Sequence, residues 1–313
     1  MRTPDNVVIF GVGALGTLFG SHLNKVARVT LVDSWREQVK TLQKRGLTVT
    51  EMDGRPSHHQ LSVTDQISEL SDVDLVLILV KSHQTLDVAP KAVQVLGDNG
   101  IVVTLQNGLG NYEQIAQLAG RERTSLGVTF QGATLESCGL LRHAGVGSTT
   151  LVRLPGQETL FQGIEDLFHR AGIPVMLVDN ADSLVWSKLA VNAAINPLTA
   201  LLEVPNGSLV EQETWLNLML AAVQEVTAVA AAKHIDLSGD DMAQKVVEVC
   251  RATAKNHSSM FQDIKKNRQT EIEAICGQVV RYSKELGIPT PVNGKLLELV
   301  RAKETGQHVN LDF

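Results

Sequence analysis

Along the first half of the chain, short apolar runs alternate with stretches whose apolar residues recur at helical spacing. The runs "NVVIF", "RVTLVD" (Arg28 to Asp33), "DLVLILVKS" and "IVVTLQNGLG" read as strands, and the periodic segments that follow, among them 84–96 and 112–118, read as helices. Strands alternating with helices predict a parallel, doubly wound sheet. The run from Leu75 to Val80 is continuously apolar, as in a strand covered on both faces. Further on, "TSLGVTFQGATLE" and "GSTTLVRL" read as antiparallel strands extending the sheet, joined near "LLRHAGVG". His143 in that connection is expected in a surface loop, and the tandem His58-His59 in a solvated one.

From Asp179 onward the pattern changes to long helical periodicities. "DSLVWSKLAVNAAINPLTALL", "WLNLMLAAVQEVTAVAAAK", "AQKVVEVCRATAKN", "EIEAICGQVVRYSKELG" and "GKLLELVRAKE" predict an all-helical domain of about five or more helices. The expected division is therefore an α/β domain over 1–180 and a helical domain over 181–313, with Asn180 or Asp182 able to cap the first helix. "GIPTPVNG" reads as the loop before the last helix. Thr270-x-x-Glu273 has the form of a capping box, so a helix is expected to start at Glu271, whose charge its dipole would favour. Ser258 and Ser259 have the chemistry of local caps.

Length and composition narrow the function. A chain of 313 residues is long enough for two domains, since single cores rarely grow much beyond about 250 residues. With 43% hydrophobic and 20% charged residues and a formal net charge of -6, it has neither the charge of a nucleic-acid binder nor that of a membrane-surface protein. A small-molecule ligand is expected. Cys138, Cys250 and Cys276 are far apart and lack C-x-x-C spacing, so neither a disulfide framework nor a metal site is expected. "LVLILV" is too short to cross a bilayer, which takes about 20 residues, and the first strand leaves no room for a signal peptide ahead of it. A cytoplasmic protein is the expectation.

Two patterns carry chemistry. Gly11, Val12, Gly13, Ala14, Leu15 and Gly16 form G-x-G-x-x-G between a strand and a helix. The first Gly permits a tight turn, the second a close approach to a pyrophosphate, and the third close packing of helix on sheet. Asp33 ends the second strand, where a carboxylate accepts hydrogen bonds from an adenosine ribose and repels a 2′-phosphate. Arg36 and Lys40 follow, and a basic loop holds a 2′-phosphate. Lys81 and Asn107-Gly108 stand at the carboxyl ends of later strands, outside which ligands bind in such sheets. In the helical half, Lys188, Asn192 and Asn196 are spaced four apart. At about 100° per residue they form one polar stripe on a mostly apolar helix.

In order, "GVGALG", "LVK", "LQNGLG", "WSKLAVNAAINPLTALLEVPNG" and "SSMFQD" followed by "RQTEIEAI" resemble the ketopantoate reductase family over nearly the whole chain. The resemblance implies a Rossmann-type dinucleotide-binding domain and a helical substrate domain. It implies reduction of 2-dehydropantoate to (R)-pantoate, with Lys188 as general acid and Asn192, Asn196, Asn206 and Ser259 on the substrate. Glu271 would stand beside the reacting centre and the nicotinamide, and the glycine loop, Lys81, Asn107 and Ala133 would contact the cofactor. NADP(H) is the family's expected cofactor and no metal is required. This chain departs from the family at Asp33-Ser34-Trp35-Arg36, where members using NADPH carry an arginine, so NAD(H) stands beside it. Two alternatives follow: an NADH-dependent D-2-hydroxyacid dehydrogenase acting on another branched or aromatic 2-keto acid, and a non-catalytic dinucleotide sensor. The apolar face from Leu216 to Ala232 serves equally as core or as the interface of a homodimer.

Overall fold

The computed structural model describes residues 3–237 and 241–307. The chain divides into two compact units, Met1–Gln106 with Asn111–Ala181, and Asn107–Gly110 with Asp182–Phe313.

The first unit is a doubly wound α/β layer structure. Its elements are β1 (Asn6–Phe10), α1 (Ala14–Leu23), β2 (Arg28–Val32), α2 (Arg36–Arg45), β3 (Leu47–Thr50), β4 (Pro56–His59), β5 (Ser62–Thr64) and β6 (Val73–Ile78). They continue with α3 (Thr85–Val95), β7 (Leu96–Thr104), α4 (Asn111–Ala119), β8 (Thr124–Thr129), β9 (Gly132–Ser137), β10 (Leu140–Gly145), β11 (Thr149–Val152), α5 (Glu158–Arg170) and β12 (Val175–Val178). Eight strands form the main sheet in the order β12-β11-β8-β7-β6-β1-β2-β5. All neighbours are parallel except β8 and β11. Alternation along β1 sends Val7 and Ile9 into a core shared with Phe19, Phe161 and Phe168. Val8 and Phe10 enter a second core with Val88 and Ile115. Both sheet faces are therefore covered, which is why these strands carry continuous apolar runs.

One part of the expected sheet is not there. β8 and β11 pair antiparallel as the sequence suggests, but β9 and β10 between them leave the main sheet and join β3 and β4 in a second one, in the order β4-β3-β10-β9. Leu47, Val49, Leu135 and Leu141 supply its buried face and join the core around Phe19. His143 is not in a surface loop: it lies on β10 two residues from Leu141, on the same inward face, and is only 7% exposed. Its ring sits 5.9 Å from that of His22, and its Nδ1 lies 3.6 Å from a Glu51 carboxylate oxygen. Nor are His58 and His59 loop residues, since β4 pairs them with Thr48 and Leu47. As an edge strand with one half-buried face, β4 needs no apolar signature, and its polar composition conceals it.

The second unit is helical: α6 (Asp182–Leu202), α7 (Glu213–Ala232), α8 (Met242–Ala252), α9 (Ser259–Lys265), α10 (Gln278–Leu286) and α11 (Pro291–Glu304). α6 runs through its centre and packs against α7, α8, α9 and α11. Pro197 inside α6 has no N–H for the Ala193 carbonyl. The buried Cys276 thiol turns to that carbonyl, with sulfur and oxygen 3.9 Å apart. α7 is long and apolar enough to cross a membrane by composition alone. It buries Met219, Val223, Val226 and Val229 in the helical core.

The expected capping box does not form. The Thr270 hydroxyl accepts from the Ile272 N–H at 3.1 Å, while Glu273 receives Arg301 through Nε at 2.5 Å and Nη2 at 2.7 Å. A two-pronged, charge-assisted bond outcompetes the single bond that Glu273 would make to its own backbone. The chain then makes a π-helical turn, Glu273–Gly277, before α10. The loop read over Gly287 to Gly294 is shorter than expected: Gly287 ends α10 in the left-handed conformation, and Pro291 already opens α11.

Candidate functional site

In the first unit, β1 ends on the glycine loop. Gly11 has φ +124°, and a Cβ there would lie 2.8 Å from the Leu79 carbonyl carbon. A Cβ on Gly16 would lie 2.0 Å from the Gly11 carbonyl oxygen, so those two glycines are needed by the protein itself. Gly13 differs: a Cβ there would meet nothing within 4 Å. It is the N-cap of α1, which has no side-chain cap and no acid in its first turn. The loop thus leaves open space in front of unpaired N–H groups at a positive helix end, which fits a pyrophosphate.

Asp33 braces this loop. Its Oδ2 accepts from the Val12 N–H and its Oδ1 from the Trp35 N–H, both at 2.9 Å. Arg36 and Lys40 are exposed. A residue that sequence reasoning missed completes the brace: buried Gln38 donates to the Val12 carbonyl at 3.2 Å and accepts from the Gly139 N–H at 2.9 Å. The sequence carries no signal that sets it apart, since the same helix has a second amide, Gln43. Ala133 on β9 packs with Ala14 and Leu15 against the core around Phe19. Lys81 follows β6, half-buried, its N–H 3.3 Å from the Gln84 side-chain oxygen.

In the second unit α6 carries the polar stripe. Lys188 and Asn192 are half-buried, and Asn196 is buried. Burial pushes the Lys188 ammonium down from an ordinary 10.5 to about 8, and the Glu271 charge opposes that fall. Glu271 is itself buried, just before the π-helical turn, and its Oε2 accepts from Asn107 Nδ2 at 3.3 Å. Asn206 donates to the Thr253 hydroxyl at 2.9 Å, while its own buried carbonyl oxygen has no partner among the described residues. Such an orphan acceptor costs about 1–3 kcal/mol.

The adjacent serines divide their roles. Ser258 caps α9, accepting from the Phe261 N–H at 3.1 Å and from the Thr199 hydroxyl at 2.7 Å. Ser259 is exposed at the first helical position. α9 packs on α6, so Ser259, Lys188, Asn192, Asn196, Asn206, Glu271 and Asn107 all belong to this one unit. Among the described residues no group of His, Cys, Asp or Glu is arranged to hold a metal. Chemically, the arrangement offers a desolvated ammonium with a carboxylate counter-charge and neutral amides alongside it, able to stabilise a developing oxyanion and donate a proton to it.

The family model described as ketopantoate reductase PanE/ApbA matches residues 7–156, and its C-terminal counterpart matches residues 180–304. The 2-dehydropantoate 2-reductase of Halobacterium salinarum is 35% identical over 94% of this chain and 97% of its own. That of Vibrio cholerae is 33% identical over 96% and 98%. Among solved structures, a ternary complex of D-mandelate dehydrogenase with NADH and anilino(oxo)acetate has TM-score 0.88 and 30% identity over 96% of this chain and 99% of that one. A ketopantoate reductase of that family from Ralstonia eutropha gives the same values.

Proposed function

Because the chain belongs to the ketopantoate reductase family, we propose that it is a 2-dehydropantoate 2-reductase, the first unit holding a nicotinamide dinucleotide and the second the keto acid. One observation carries the reading most directly: Lys188 is desolvated, stands under the influence of Glu271, and shares its stripe with Asn192 and Asn196. The bound dinucleotide supplies a hydride to the ketone carbon. The protein supplies the rest.

Lys188 binds the ketone oxygen, stabilises the alkoxide charge and donates the proton, and a value of about 8 keeps it mostly protonated near neutral pH and ready to give the proton up. Asn192, Asn196 and Asn206 offer donors and acceptors to the substrate's hydroxyl and carboxylate without adding charge. Ser259 contributes a hydroxyl, and Glu271 holds Lys188 in its charged form. On the dinucleotide, Gly11 to Gly16 would receive the pyrophosphate, with Lys81 and Ala133 of the same unit as further cofactor contacts. NADH is the preferred form on this reading, because a carboxylate at the end of β2, Asp33, would accept from an adenosine ribose hydroxyl and repel a 2′-phosphate.

The likeness to D-mandelate dehydrogenase solved with NADH, together with Asp33, favours a second reading, in which the same machinery reduces another 2-keto acid. Initial rates with NADH and NADPH, measured on 2-dehydropantoate and on a panel of branched and aromatic 2-keto acids, separate the two. The first reading expects the highest kcat/KM on 2-dehydropantoate, and a higher value on an aromatic acid overturns it. Equal rates with the two dinucleotides overturn the assignment of Asp33.

A further inference from the structure

The loop Asn107–Gly110 belongs to the second unit although it is flanked in sequence by elements of the first. It lies against the π-helical turn in van der Waals contact. The Leu109 N–H donates to the Ala274 carbonyl at 2.8 Å. Gly108 has φ +79°, and a Cβ there would lie 2.3 Å from that carbonyl oxygen and 2.7 Å from the Ala274 Cβ. No side chain fits between loop and turn.

Glu271 is held from several directions at this point. On one side of it the Thr270 N–H donates to Glu304 at 2.6 Å, and on the other Glu273 is gripped by Arg301, both partners lying on α11. Its own carbonyl accepts from the Ala274 and Ile275 N–H groups, each at 3.1 Å. α11 and the turn thereby fix its backbone, and the Asn107 amide meets its carboxylate at 3.3 Å. That bond is already long, so a small shift of the loop breaks it.

We propose that Gly108 is a positioning residue for the Lys188 and Glu271 pair: lacking a side chain, it lets the loop seat on Ala274 so that Asn107 holds the Glu271 carboxylate. The inference rests on the proposed role of Lys188 as general acid. Adding a methyl group at 108 forces the loop off Ala274 by about 1 Å to reach normal contact distance. The Glu271 carboxylate, no longer held by Asn107, moves away from the position in which its charge acts on Lys188, and Lys188 loses its proton at lower pH.

The test compares Gly108→Ala with Gly110→Ala. Both glycines have positive φ, so both alanines carry backbone strain, but a Cβ at Gly110, φ +92°, meets only the far end of the Gln278 side chain at 3.0 Å. The basic limb of the kcat/KM profile is measured with whichever 2-keto acid the wild type reduces. Lys188 is also titrated directly by NMR of labelled lysine side chains, with Lys188→Arg to assign the signal. Gly108→Ala is expected to move both readouts to lower pH by about half a unit or more and to cut kcat about tenfold. Gly110→Ala is expected to leave them in place. Should Gly108→Ala not fold, Asn107→Ala removes the same bond without touching the loop backbone and is expected to give the same shift. An unmoved Lys188 titration in the Gly108 or Asn107 variant, or an equal shift in the Gly110 variant, overturns the proposal. Because the titration needs no turnover, a wrong substrate or a wrong role for Lys188 is seen separately.

Discussion

The glycine loop and the Lys188 stripe prepare for ligands in opposite ways. The loop works by omission: Gly11 and Gly16 let the backbone fold onto itself, Gly13 leaves empty space, and α1 begins uncapped. Its charged neighbour, Asp33, holds the loop from the Val12 N–H, and the end of α1 is left without a side-chain cap. The stripe works by commission, since Lys188 is desolvated, Glu271 is buried, and Asn206 holds an acceptor without a partner. A pyrophosphate already carries the charge and needs only a receptive surface. On the proposed reading, the ketone becomes charged only during reaction, so the compensating charge is held beforehand and its desolvation borne by the protein.

The largest effect that sharpens this contrast comes at Lys188. Lys188→Met is expected to lower kcat by about a thousandfold or more with dinucleotide affinity unchanged. The same variant gains stability. Lys188 falls from 10.5 to about 8 on folding, a cost of up to about 3 kcal/mol. Because its folded value is lowered, that cost is fully present below pH 8 and is relieved as pH rises towards 10.5, where the unfolded chain binds more protons. Denaturant midpoints of the wild type should therefore rise relative to the variant's across that window. A variant no more stable than the wild type at neutral pH would contradict the claim that this site is held under strain.

The next effect separates glycines that serve the fold from the one proposed to serve the ligand. Gly16→Ala drives a methyl group onto the Gly11 carbonyl and is expected to cost about 2–4 kcal/mol in thermal or denaturant unfolding. Gly13→Ala meets nothing and should leave stability within about 1 kcal/mol, yet raise the dinucleotide Kd about tenfold or more by filling the cradle. If Gly13→Ala binds dinucleotide like the wild type, the open space does not receive the pyrophosphate.

The smallest effect repeats the division within one dipeptide. Ser258→Ala removes the α9 cap and the bond to Thr199, costing about 1–2 kcal/mol. Ser259→Ala should unfold like the wild type within about 0.5 kcal/mol and raise the keto-acid KM severalfold. Calorimetry and steady-state kinetics on the pair check both halves.

How much was legible in the sequence follows the same division. The glycine loop is contiguous, and the α/β alternation and the helical half rest on local periodicity, so fold class could be read directly. The stripe from Lys188 to Asn196 was visible as a face because α6 is regular. What was hidden depends on distant partners. Arg301 is 28 residues from Glu273 and diverts it from its expected capping role, while Asn107 meets Glu271 from 164 residues away. The second sheet was hidden for a related reason: β4 is an edge strand of polar residues, and His143 is buried by pairings of β10 that its own sequence does not announce.

The uncapped end of α1 also bears on how long the protein lasts. A helix terminus with neither side-chain cap nor first-turn acid receives its anion only from a ligand, so folding and loading are linked by mass action. At one hundred times Kd such a ligand adds about 2.7 kcal/mol to the folded state. When the dinucleotide pool falls, that increment goes, the unfolded fraction grows, and degradation by proteases rises with it. On the proposed reading, the abundance of the protein would then follow the supply of that dinucleotide.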